Sequence, residues 1–78
     1  MQDEFNLTVG DETFLLKRMY VPGYPLTYHI HFDDEFRHRY VFRMQLRDSR
    51  WKLIASFLPD VVRRCESDLV KAIEENEE

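Results

Sequence analysis

The sequence predicts an α+β domain: a five-stranded antiparallel β-meander with one C-terminal α-helix packed on one face. Three observations predict it. Phe36, His38, Tyr40, Phe42, Met44 and Leu46 alternate with Arg37, Arg39, Val41, Arg43, Gln45 and Arg47, a period of two that no helix shares. The turns on either side of that run, and a third at Gly10-Asp11, each keep the apolar sets of successive strands on one side. After Leu58-Pro59 the apolar spacing changes to three and four residues, the mark of one helical stripe.

The first strand is expected at about 4–9, where Phe5, Leu7 and Val9 alternate with Asn6 and Thr8. Gly10-Asp11 suits a type II′ hairpin turn, with glycine at the first loop position. That turn pairs Val9 with Glu12, Leu7 with Phe14 and Phe5 with Leu16, and a second strand runs over 12–21. It ends before Pro22, because proline cannot donate to a ladder. Pro22-Gly23-Tyr24-Pro25 is a turn. The third strand, about 26–32, has Leu26, Tyr28, Ile30 and Phe32 on one face and Thr27, His29 and His31 on the other.

A three-residue loop, Asp33-Asp34-Glu35, leads to a fourth strand over 36–47. It pairs Phe32 with Phe36, Ile30 with His38 and Tyr28 with Tyr40, which brings His38 onto the apolar face. Asp48-Ser49 then turns the chain into a short fifth strand, about 51–55, with Leu46 beside Trp51 and Met44 beside Leu53. Ser56-Phe57-Leu58 leads to a helix at about 59–75. Pro59 fits a first helical turn, and Asp60 suits the positive end of the dipole. Val62, Cys65, Leu69, Ala72 and Ile73 form the buried stripe, with Val61 alongside. Asn76-Glu77-Glu78 is expected to fray, since acids oppose the dipole at a helix C-terminus.

The 78 residues read as a single domain, 1–78. A chain this short buries only about 60% of its unfolded surface, so most of it must serve the core. Six Phe, four Tyr and one Trp make it too rich in large side chains for disorder. One cysteine, Cys65, excludes a disulfide framework and a cysteine-based zinc site. The acidic start, Met1-Gln2-Asp3-Glu4, does not resemble a signal peptide, and no apolar run approaches the ~20 residues that span a bilayer. A cytoplasmic protein without a membrane partner is the expectation.

A β-meander, a tryptophan late in the sheet (Trp51) and a Leu58-Pro59 helix start together resemble small uncharacterised bacterial proteins of unknown function. The resemblance spans most of the chain and implies no activity.

Candidate chemistry is sparse, and an enzyme is not expected. His29-x-His31 has a spacing that some metal sites use, but the register above sets Arg37 and Arg39 opposite, and cations oppose a metal; no metal or cofactor is expected. His38 reads as a buried, hydrogen-bonded histidine, and Cys65 as a small hydrophobe on the helix stripe. Asp33-Asp34-Glu35 reads as a solvated turn, and with only Gly10 and Gly23 there is no phosphate loop.

The charge distribution is more informative. The chain carries −4, yet Arg37, Arg39, Arg43, Arg47, Arg50, Lys52, Arg63 and Arg64 face only Asp48 and Asp60 across the middle of the sequence. Arg37, Arg39, Arg43 and Arg47 should stripe the open sheet face, flanked by Lys17, His29, His31 and Lys52. Leu15, Met19, Val41 and Ile54 share that face and could support a homodimer. The leading expectation is a protein-interaction module that uses this basic face for a second copy or an acidic protein. Anion or nucleic-acid backbone binding through the same arginines is the alternative. Base stacking is disfavoured, because the strand aromatics are expected to face inward. The ordinary reading, that charges keep an open sheet soluble, stands beside both.

Overall fold

The computed structural model describes residues 1–55 and 57–78. The strands are β1 (Glu4–Val9), β2 (Glu12–Met19), β3 (Thr27–Asp33), β4 (Arg39–Arg47) and β5 (Arg50–Ile54), followed by α1 (Asp60–Arg64) and α2 (Glu66–Asn76). They form one antiparallel sheet in the order β1-β2-β3-β4-β5. Ser56, in the expected lead-in to the helix, lies outside the described residues.

Two hairpins have the expected register. Val9 pairs with Glu12, Leu7 with Phe14 and Phe5 with Leu16, and Gly10 takes φ 61, the positive value a type II′ turn requires at that position. Leu46 pairs with Trp51 and Met44 with Leu53. There the turn residues Asp48 (φ 52) and Ser49 (φ 66) are both left-handed, as in a type I′ turn, whose twist matches the strands it joins.

The β3–β4 hairpin differs from expectation by four residues. Phe32 pairs with Tyr40, Ile30 with Phe42 and Tyr28 with Met44, so the chain from Asp34 to His38 is loop. The Asp34 side chain builds that loop. Its Oδ1 accepts the backbone N–H groups of Phe36 (2.9 Å) and His38 (2.8 Å), and its Oδ2 lies 3.3 Å from His38 Nδ1. Burial pushes the Asp34 carboxyl up, but the N–H donors of His38 and Phe36 outweigh it and hold the group below the usual carboxylate range. Arg37 adopts φ 65, and Phe36 is 73% exposed. His38 is therefore a surface loop residue and not a member of the core. A shift of four keeps the parity of every side chain, so the apolar set of β4 still faces inward.

The core lies between the sheet and the helices. Phe14, Leu16, Tyr28, Ile30, Phe32, Phe42 and Met44 from the sheet meet Leu58, Val62, Cys65, Leu69 and Ile73. Tyr40 and Trp51 pack at its margin. Phe14 stacks on Phe32 at 5.0 Å, and Trp51 meets Tyr28 edge-on at 5.4 Å. Burial, then Asp68, pushes the Cys65 thiol above its ordinary value, which suits an inert packing residue.

The expected single helix is broken at Cys65, which has φ −91 and ψ 1 and donates to Val62 O at 3.1 Å, three residues back. The buried stripe Val62, Cys65, Leu69 and Ile73 continues through the break. The far end, expected to be loose, is tied to the sheet through Asn76 and Glu77. Glu77 accepts two bonds from Arg18, Nε to Oε2 at 2.8 Å and Nη2 to Oε1 at 3.2 Å, and one from the Tyr28 hydroxyl. Asn76 Nδ2 reaches the Tyr28 oxygen at 2.7 Å and Gln2 O at 2.9 Å. A bidentate arginine contact outweighs the unfavourable dipole term of an acid at that end.

Candidate functional site: the open face of the sheet

Side chains alternate across a sheet, so residues not committed to the core appear together on the opposite face. Pairing assembles them into rows. One row runs Glu4, Lys17, His29, Arg43, Ile54 across all five strands. The next runs Asn6, Leu15, His31, Val41. On the other side of the first row lie Met19, Thr27, Gln45 and Lys52. Arg47 pairs with Arg50 beyond them.

The face thus holds Lys17, His29, His31, Arg39, Arg43, Arg47 and Lys52 together, with Leu15, Met19, Val41 and Ile54, as expected. Arg37 is the exception, because it sits in the Asp34–His38 loop and not on a strand. The neighbours of the two histidines are also corrected: Arg43 faces His29 and Val41 faces His31, in place of Arg39 and Arg37.

The cations are not equivalent. Arg39 binds Asp33, its cross-strand partner, through Nε at 3.0 Å. That bond raises the arginine and holds the Asp33 carboxyl below its ordinary value. Lys17 lies 3.6 Å from Glu4. Both pairs are exposed and contribute little to stability. Arg47 turns back on Gln45, donating to Oε1 at 2.8 and 3.1 Å. Among the described residues, Arg43 and Lys52 have no carboxylate within ion-pair distance.

Arg43 and His29 stand between two depressions. One, of about 690 Å³, is walled by Val41, Ile54, Ala55 and Phe57. The other, of about 290 Å³, is walled by Met19, Val21, Tyr24 and Pro25, with Thr27 and Gln45. Both are lined by His29 and Arg43. Phe57 (75% exposed), Tyr24 (72%) and Val41 (58%) are large apolar groups left open to water. Tyr24 and Phe57 are the functional candidates that sequence reasoning missed. Neither lies on a strand, so alternation assigned them no face. Their signal was position: each is a large aromatic in a connection, where nothing obliges it to be buried.

No helix among the described residues is long and apolar enough to cross a membrane. Comparison with protein-family models, curated proteins and solved structures finds no match for this chain.

Proposed function

We propose that this chain is an interaction module that captures an acidic protein partner on its open sheet face. The observation that carries the reading is Arg43, a cation with no carboxylate within ion-pair distance among the described residues, placed between two apolar-walled depressions. Interface cores combine large apolar or aromatic side chains with arginine, and charge around them sets partner choice. Of the chain's own acids, Glu4 and Asp33 lie on the face and are paired with Lys17 and Arg39, while Glu66, Asp68, Glu74 and Glu75 lie on α2. A second copy presenting the same face would bring arginine against arginine, which disfavours a face-to-face homodimer.

Nucleic-acid backbone binding is the second reading, and exposed Tyr24 and Phe57 favour it, because each offers a ring for stacking beside Arg43. Fluorescence anisotropy with a labelled oligoglutamate peptide carrying apolar residues, and with labelled oligothymidylate, separates the two. The peptide should bind better, and Arg43→Glu with Lys52→Glu should weaken it at least tenfold. Tighter binding of the oligonucleotide, falling steeply with salt, would assign the face to phosphate backbones. Binding of neither probe would remove the proposal.

A further inference from the structure

Resting on the reading above, we infer that the open face takes an amphipathic acidic helix of the partner, laid diagonally over β4 with carboxylates on Arg43 and an apolar side chain in each depression. The backbone groups of β2, β3 and β4 are engaged in ladders on both sides, so the face offers side chains only. An extended segment lying on it would leave its own N–H and C=O groups without partners where water is excluded. A helix brings its backbone bonds with it.

The depressions flank Arg43 diagonally across the sheet, one towards β5 against Val41, Ile54, Ala55 and Phe57, the other towards β2 against Met19, Val21, Tyr24 and Thr27. An amphipathic helix presents apolar side chains on successive turns of one stripe, so one can enter each depression while the intervening turn lies over Arg43. The middle of the face carries His29 and Arg43, which has no carboxylate partner among the described residues, with Lys52 on the row beside them, so the intervening turn must be acidic to be accepted. The opposite face already shows the same solution: α2 lies on the sheet with Leu69 and Ile73 inward and its acids outward. A helix on each face completes a three-layer arrangement in which neither side of the sheet is bare.

The test uses three labelled peptides of one composition, rich in Glu, Leu and Ala. One has leucines at helical spacing with glutamates in the turn between them. In the second the leucines alternate with polar residues. In the third their order is scrambled. The first should bind at least tenfold tighter than either other peptide and gain helical circular dichroism on binding. Val41→Asp and Arg43→Gln, both at exposed positions and checked for an unchanged thermal melt, should each weaken it at least fivefold. If the alternating or scrambled peptide binds equally well, the helical occupant is wrong while capture of acidic partners stands. If no peptide binds, both fail.

Discussion

The Tyr28 hydroxyl, in the middle of the sheet, donates a hydrogen bond to the Glu77 carboxylate at the end of α2. The two residues are 49 positions apart in sequence. Arg18 from β2 completes the site by gripping the same carboxylate. One carboxylate thereby ties the last helical turn to two adjacent strands. Removing the hydroxyl with Tyr28→Phe leaves Glu77 and Asn76 each short of a partner at a part-buried site. The expected loss is about 1–2 kcal/mol, read by urea unfolding. A change under ~0.3 kcal/mol would show that water substitutes for the hydroxyl.

Glu77→Gln removes the charge that Arg18 binds. The cost should be about 1–3 kcal/mol at neutral pH, since a hydrogen bond to a charged group is lost and Arg18 is left unpaired. The pH dependence has a definite sign. Arg18 first, and then Tyr28, hold the folded Glu77 carboxyl below its ordinary value, against the effect of burial. Its contribution is present above an unfolded pKa of about 4.3 and disappears as pH falls through the lower folded value. Stability measured against pH should fall less steeply in acid for Glu77→Gln than for the parent chain.

Tyr28 controls the alkaline side. Burial first, and then the Glu77 carboxylate, push its hydroxyl up to about 12 from an ordinary value of 10.0. The folded state holds this proton more tightly, so its contribution is complete below about pH 10 and is lost as pH rises towards 12. Ultraviolet titration should resolve one late-ionising group among the four tyrosines. That late step should vanish in Tyr28→Phe.

Phe42 is 2% exposed and stands opposite Ile30, in edge contact with Phe14 at 6.5 Å. Phe42→Ala should cost roughly 3–5 kcal/mol by equilibrium unfolding, the usual range for a buried aromatic. A loss below ~1 kcal/mol would contradict the face assignment of β4.

Ser49 occupies the second position of the β4–β5 turn with φ 66, where an L side chain is strained and glycine is not. Ser49→Gly converts the turn to Asp-Gly, a preferred type I′ pair. It should stabilise the chain by about 0.5–1 kcal/mol, measured as a raised urea midpoint with an unchanged slope.

Much of this architecture is local and therefore legible in the sequence. The alternation of β4 and the Gly10-Asp11 and Asp48-Ser49 turns act over a few residues, and each determines which face a side chain takes. The composition of the open face follows from that parity, which is why Arg43, His29 and Val41 could be placed there from the sequence alone. What parity cannot determine is displacement by an even number of residues. The three-residue β3–β4 loop and the observed one turn the same side chains of Arg39–Arg47 inward and differ over Phe36 and His38, and only the whole sheet discriminates between them. In the observed register β5 lies beside the part of β4 that pairs with β3, so all five strands overlap under one helix layer. Asp34 closes the longer loop by accepting from Phe36 and His38, an Asx-type contact that aspartate favours locally but that does not by itself select the loop's length. The docking of Glu77 is a tertiary decision of the same kind. An acid at a helix end is unfavourable by every local rule, and it is held because β2 and β3 bring Arg18 and Tyr28 to that point in space.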